Sequence, residues 1–394
     1  MKQILFLSVL SFFLFHTGEA KTLQIMSYNV ENLFDTKHDI VNGKDKNDWT
    51  FLPKDAQGKK EACREEKSKY RRNECFESDW NESKVEVRLE QISEVLTKER
   101  KTLPDFLGLI EVENAEIVGR LGKKLGYENL EITESPDFRG VDVALLYKNS
   151  PEIKKVSRAE HVVPVEYPTR NILEVEFLIN GQYPLTVFVN HWPSLANPDS
   201  WRIKAAEVLT GRIKEILSKN PQMNIIAMGD FNTIDENNPH PFKTVLYKDD
   251  LLVSVVDEFK TDTRIAEDVK KKMSPGTYYY SPKDQWNMLD HFFINKNLKD
   301  GKDMDIKIST FEVYSPKFLV KELSKFDGNP DEGNRKIILA PKRFNADELA
   351  KDKMGYSDHF PIQVNIEYPE VTPKEITPPT AVKRNTKKKV KTKK

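Results

Sequence analysis

Residues 225–236 read IIAMGDFNTIDE: four apolar residues, a glycine, then Asp230 and Asn232 separated only by Phe231. A short continuous apolar run bounded by a turn signal is the pattern of a strand buried on both faces. Asp230 and Asn232 stand at i and i+2 where that strand ends, and in extended chain such residues point the same way. Alone, Asp and Asn at a strand end are ordinary turn residues. Their meaning changes when the same arrangement recurs along the chain.

It recurs five times. SYNVEN ends an apolar run with Asn29 and Glu31, and LIEVEN ends another with Glu111. NHWPS brings Asn190 and His191, LDHFF sets Asp290 and His291 inside an otherwise apolar run, and SDHFP places Asp358 and His359 before the last strand-like segment. An unpaired charge in a buried strand is costly, so six such sites point to one cluster along one rim of the sheets. Carboxylates and amides without cysteine are hard oxygen donors, suited to Mg²⁺, Mn²⁺ or Ca²⁺ rather than structural zinc. Asp with His offers general acid–base catalysis, and a divalent ion neutralises phosphate charge. Metal-assisted hydrolysis of a phosphoester uses every member of the set.

Between these motifs the elements alternate. Strands are expected at 22–30, 105–113, 141–148, 171–179, 184–192, 224–232, 287–294, 305–314 and 360–368. Helices are expected at 82–100, where Val85, Leu89, Ile92 and Leu96 keep helical spacing, and from Asn114 to the C-capping Gly126. A third spans about 199–219, with Asp199 and Ser200 as candidate caps. This pattern predicts a mixed α/β domain with sheets packed together and helices outside. Charged segments at 35–81 and 315–356 are too long for simple connections, so each reads as a functional loop or a disordered insertion. No boundary divides residues 21–370, which read as one domain.

The chain has 394 residues, 38 % of them hydrophobic, enough for a substantial core. Residues 1–20 have the form of a signal peptide: Lys2, an apolar run from Ile4 to Phe15, and Gly18 and Ala20 before the cleavage point. That run is short for a bilayer span and no later segment is apolar enough, so the expected product is exported, periplasmic or extracellular, without a stable membrane anchor, and monomeric. In an oxidising compartment the two cysteines, Cys63 and Cys75, are expected to form a disulfide. Residues 371–394 carry nine Lys or Arg against one Glu, a net +8, so the remainder carries −8. This tail is expected to be disordered, either merely solvated or a tether to polyanions.

The ordered set SYNVEN, LIEVEN, GVDVALLY, NHWPS, GDFN, LDHFF and SDHFP resembles the endonuclease/exonuclease/phosphatase superfamily from about residue 22 to 368. That group includes pancreatic-type deoxyribonuclease, bacterial sphingomyelinase, inositol polyphosphate 5-phosphatase and the cytolethal distending toxin nuclease. The resemblance implies a four-layered α/β sandwich, two mixed β-sheets packed face to face with helices outside. It implies Glu111 as principal metal ligand, Asn29 and Glu31 beside it, and Asp358 completing the site or steadying its neighbours. Asp230 would orient or deprotonate the attacking water, Asn232 would hold a phosphate oxygen, and His359, oriented by Asp290, would bind the scissile phosphate. His191 matches a second catalytic histidine, and Mg²⁺ is the expected ion, with Mn²⁺ or Ca²⁺ as alternatives.

Three residues are weighed apart. His291 follows Asp290 in a strand and should face the opposite side. Trp192 is expected in the core rather than as a substrate platform. Arg139, before the VDVALLY strand, is a candidate phosphate contact, and Arg202 a weaker one. The substrate expected is nucleic acid, cut by a sequence-nonspecific endonuclease. The alternative is a lipid headgroup, as in sphingomyelinase, or a small phosphoester. For the lipid, TYYYSP at 277–282 is the candidate membrane-facing hairpin.

Overall fold

The computed structural model describes residues 20–41, 43–327, 335–348 and 353–370. The expected leader, apart from Ala20, and the basic tail lie outside them.

Alternation along the strand Asn224–Asp230 shows how the layers assemble. Ile226 and Met228 enter an apolar cluster between two sheets, while Ile225 and Ala227 face a second cluster beneath the helix Asp199–Lys219. The strand is therefore buried on both sides, as its continuous apolar run requires.

Twelve strands make the two sheets. They are β1 (Ala20–Leu33), β2 (Phe106–Val112), β3 (Asn129–Ile132), β4 (Asp142–Tyr147), β5 (Ile153–His161), β6 (Ile172–Ile179), β7 (Tyr183–His191), β8 (Asn224–Asp230), β9 (Val253–Ser254), β10 (Asp290–Ile294), β11 (Asp305–Val313) and β12 (Ile362–Pro369). The first sheet runs β11-β12-β1-β2-β4-β3 and the second β9-β10-β8-β7-β6-β5. Each is mixed, with one parallel pair: β1 with β2, and β7 with β8.

Five helices matter here: α1 (Lys59–Glu65), α2 (Lys69–Glu77), α3 (Glu82–Thr97), α4 (Ala115–Leu125) and α5 (Asp199–Lys219). In α3 the expected stripe Val85, Leu89, Ile92 and Leu96 is buried. Asn114 caps α4 by accepting from Glu116 N and Ile117 N, and Gly126 closes it at φ 86°. In α5, Ala205, Ala206, Leu209 and Ile213 pack under Phe188 and Phe293 of the second sheet. The result is the four-layered arrangement with helices outside.

Two glycines sit at close approaches: at Gly108 the neighbour is the flexible end of the Met228 side chain, whereas at Gly229 it is backbone that cannot give way. A Cβ on Gly108 would lie 2.8 Å from the Met228 side chain, where the sheets face each other. Gly229 has φ +137°, and a Cβ there would lie 1.9 Å from Asn190 O on the neighbouring strand. Gly229 thereby lets β8 press against β7 one residue before Asp230.

Several expectations need correction. The edge strand β5 and the short β3 were not anticipated, because β5 exposes Lys154, Lys155, Val156, Ser157 and Arg158 and has no buried face to show periodicity. Asp199 and Ser200 do not cap α5; its N-cap is Pro198, without a side-chain bond, and Asp199 pairs with Arg202 and accepts from Asn238 N. Neither insertion is a bare loop. The first holds α1 and α2, joined by the Cys63–Cys75 disulfide, with buried Lys59 donating to Leu52 O and Ser78 O. The second forms a hairpin of Val320–Phe326 with Arg335–Pro341. Among the described residues no helix is long and apolar enough to cross a membrane.

Candidate active site

Backbone pairing puts three of the candidates in one row. Asp230, the last residue of β8, pairs with His191 on β7 and with Asp290 on β10. The first sheet supplies Asn29 from β1, paired with Ile110, and Glu111 next along β2. The segment before β12 supplies Asp358 and His359, and His359 is bridged to Tyr278. All are buried or nearly so.

Asp230 is the centre. Its Oδ2 accepts from Asn29 Nδ2 at 3.2 Å and lies 3.7 Å from His191 Nε2 and 4.0 Å from His359 Nε2. Its Oδ1 accepts from Asn232 N at 2.8 Å, a turn that Asn232 makes at φ 45°. Asn29 Nδ2 also reaches Glu111 Oε1 at 3.2 Å, and His191 Nε2 lies 3.8 Å from that same oxygen. Burial pushes the Asp230 carboxyl up to about 7; His359 opposes this, while Asp290 and Glu111 add to it.

The two histidines are in opposite states. His359 Nδ1 is held by Asp290 Oδ2 at 2.7 Å. Burial alone would lower its pKa, but Asp290, Asp230 and Asp358 outweigh burial and hold it well above the usual histidine range. Burial, with the positive charges of Arg170, Arg139 and His359, drives His191 well below that range. The surroundings thus favour the charged form of His359 and the neutral form of His191, whose Nδ1 lacks a protein partner.

The first sheet's carboxylates are arranged differently. Glu31, at φ 49°, forms an ion pair with Arg343 and accepts from Phe344 N. Burial and Asp358 push it up to about 7 against the pull of Arg343 and Arg88. Asp358 lies 3.8 Å from Arg343, and its carboxyl is raised by burial, with His359 opposing and Glu111 adding to the rise. Asn29 turns its Oδ1 to Glu31 N at 3.0 Å, so in this arrangement it donates to the carboxylates rather than presenting oxygen. Among the described residues no three His, Cys, Asp or Glu side chains are drawn together tightly enough to enclose an ion unaided.

The remaining candidates are placed as follows. His291 lies on the opposite face, bonded to Met288 O at 2.8 Å among Phe242 and Phe293. Trp192 is in the core, its Nε1 donating to Asn190 Oδ1, so Asn190 serves packing. Arg202 is fully buried and donates to Pro193 O and Ser194 O, shaping that loop without reaching the site. Arg139 lines the cleft beside Asp137.

A cleft of about 940 Å³ opens over the row, bordered by Glu111, His191, Asp230, Asn232 and His359. Arg170 belongs to it and was missed in the sequence. Its buried guanidinium donates to Trp192 O at 2.5 Å and to Asp137 at 3.3 Å. Arg343 was also missed; it reaches Glu31 from 312 positions away. No local pattern announces either one.

A family model described as the endonuclease/exonuclease/phosphatase family matches residues 24–368. The chain is also similar to D. rerio TDP2 complexed with single strand DNA product: 16 % identity, TM-score 0.50, covering 88 % of this chain and 98 % of that one. Similar too are an endonuclease/exonuclease/phosphatase family protein of Bacteroides thetaiotaomicron (12 %, TM-score 0.49, 89 % and 96 % covered) and that organism's mannosyl-6-phosphatase Bt3783 (13 %, 0.49, 87 % and 99 %). No curated protein matches the chain.

Proposed function

This chain belongs to the endonuclease/exonuclease/phosphatase family, and from that premise we propose an exported, divalent-metal-dependent phosphodiesterase that cuts nucleic-acid backbones without sequence preference. The observation that carries the chemistry is the convergence of His191 and His359 on one buried carboxylate, Asp230, at 3.7 and 4.0 Å. The expected export rests on the leader, and a monomer remains the expected form.

The donor set fits a hard divalent ion. Glu111 and Asp358 are half-buried acids, and the charge of the first makes the second harder to ionise. A divalent cation relieves that repulsion, and oxygen donors suit it. Glu111 and Asp358 would hold it, with Asn29 joining if its amide turns, while Glu31 is engaged by Arg343. When bound, such an ion would neutralise charge on the scissile phosphate.

The chain's own groups account for the rest. Asp230, with a carboxyl near 7, is matched to take a proton from water at neutral pH. The His359 imidazolium, held by Asp290, presents Nε2 to a phosphate oxygen. Asn232 donates one amide hydrogen to Trp192 O at 3.2 Å, leaving the second for the same phosphate. Arg139, Arg71 and Lys283 border the cleft and supply positive charge for a polyanion.

The lipid reading gains little from the 277–282 segment. Tyr279 is buried and Tyr280 is 37 % exposed, so the hairpin presents no cluster of aromatics to a bilayer.

Incubating supercoiled plasmid with the mature chain tests the proposal, with Mg²⁺, with EDTA, and with Asp230→Ala in parallel. Nicking that needs the metal and fails in the variant is expected. A folded protein that leaves the plasmid intact under all conditions would shift the assignment to lipid or small phosphoesters.

A further inference from the structure

One wall of the cleft carries aromatic surface that the hydrolytic chemistry does not use. Tyr167 is 66 % exposed, and its ring centroid lies 5.8 Å from that of Trp201. Leu195, 37 % exposed, borders the same cleft. Single exposed apolar residues are ordinary. Two at the mouth of the cleft that His191 and Asp230 border, with the half-buried Trp201 ring beside Tyr167, are not so easily dismissed.

This ledge is fixed relative to the row of reacting groups. Tyr167 is three residues from Arg170, whose buried guanidinium is bonded to Trp192 O, the residue after His191. Trp201 lies in the first turn of α5, with its N–H donating to Pro198 O. Arg202, next in the helix, ties that turn to Pro193 O and Ser194 O. Both rings therefore hang from segments anchored at the end of β7, and Arg139 stands at the same mouth.

We propose that Tyr167, supported by the Trp201 ring inclined at 54° to it, offers a stacking ledge for a nucleobase next to the scissile phosphate, so that the cleft takes unpaired strands in preference to duplex. This rests on the nucleic-acid reading given above. An aromatic ring gains from stacking on any base, which makes the contact indifferent to sequence. In a duplex both faces of each base are covered by neighbouring pairs, and the base must leave the stack to reach a ring. A cleft of about 940 Å³ is the size of a small-ligand site, suited to a few nucleotides. Guanidinium groups beside the rings complement the strand's phosphates. The nicking expected of supercoiled plasmid is compatible with this preference, because superhelical strain opens short unpaired stretches.

The test compares kcat/KM on three substrates of equal length: a single-stranded oligonucleotide, its duplex, and a strand with abasic positions flanking the cleavage point. Wild type is expected to favour the single strand over both others by about tenfold or more. Tyr167→Ala should lose the preference for bases over abasic positions by about five- to a hundredfold, and Tyr167→Phe should keep it. Tyr167 is largely exposed, so these variants should fold. A preference unchanged in Tyr167→Ala, or duplex cut as fast as single strand, overturns the ledge. If wild type cuts no strand at all, the nuclease reading fails separately, and fluorescence anisotropy of labelled intact and abasic oligonucleotides on metal-free protein decides the ledge. Base-dependent binding lost in Tyr167→Ala supports it; binding indifferent to bases overturns it.

Discussion

The rims of the two sheets reach the same cleft by different means. On the second sheet the ladder itself sets the site: His191, Asp230 and Asp290 are register partners on adjacent strands. On the first sheet the ladder between β1 and β2 breaks after Asn29 and resumes at Leu33. Glu31, Asn32 and Glu111 all take positive φ there, a conformation that costs energy and is kept only where surroundings enforce it. The enforcement is tertiary. Buried Arg88 donates to Glu31 O and Tyr356 O and sits 4.2 Å over the Phe344 ring. Ser357 donates to Asn29 O and accepts from His359 N. On the function proposed above, the rim set by backbone pairing would supply the proton acceptor Asp230, and the bulged rim the carboxylates suited to an ion.

Mutations at each rim can break this contrast. Short of removing His359 itself, the largest effect on rate is expected from Asp290→Asn, which leaves His359 in place but removes the charge that keeps it protonated. Because His359 is raised in the native protein, its cationic form persists above the ordinary histidine pKa of about 6.5 and is lost only as pH passes the raised value. The variant should lose roughly a hundredfold in kcat at neutral pH, with the alkaline limb of the pH–rate profile moved to lower pH. An unmoved limb would contradict the role given to the pair. The acid limb should lie near 7, where Asp230 ionises.

Gly229→Ala tests the rigidity of the second rim. Its Cβ would meet Asn190 O, so a loss of roughly 3–5 kcal/mol in denaturant unfolding is expected. A loss below about 1 kcal/mol would show that the strand can shift.

Glu174→Gln acts further back on the same sheet. Burial opposes ionisation of Glu174, yet Arg212 binds it through two nitrogens at 2.7 and 2.8 Å and, with His161 at 2.6 Å, brings it down to about 2. A lowered carboxyl stabilises above its unfolded pKa of about 4.3 and ceases to do so as pH falls through the folded value. The variant should lose about 1–3 kcal/mol at neutral pH, and the deficit should shrink between about pH 4 and 2. A deficit constant across that range would refute the pairing.

Arg343→Ala should have the smallest effect. It frees Glu31 at the bulged rim and removes a positive charge that competes with the ion, which should tighten Mn²⁺ binding by about two- to fivefold, as for a partly exposed ion pair. Calorimetric titration with Mn²⁺ reads this directly; weaker binding would make Arg343 a support of the site rather than a competitor.

The same contrast explains what could be read in the chain. Asn29, Glu111, His191, Asp230, Asp290 and His359 were legible because each ends or interrupts an apolar run, and alternation fixes where it points. The two sheets and α3, α4 and α5 followed from the same periodicities. Arg343 and Arg170 were not legible, because their partners are remote in sequence and a lone arginine among charged residues carries no pattern. Tyr167 lay in a loop for the same reason. The edge strand β5 was missed because its outward face is Lys, Ser and Arg, leaving only backbone pairing to define it. The order of the 35–81 insertion depends on buried Lys59 and on Phe34 stacked on Phe51, contacts that composition does not reveal.

The most direct test of the account is His359→Ala, assayed for Mg²⁺-dependent nicking of supercoiled plasmid alongside its circular dichroism and melting curve. The account predicts a folded protein with cleavage reduced by about a thousandfold or more, because the cation facing Asp230 is gone. Near-normal cleavage by the folded variant would contradict it.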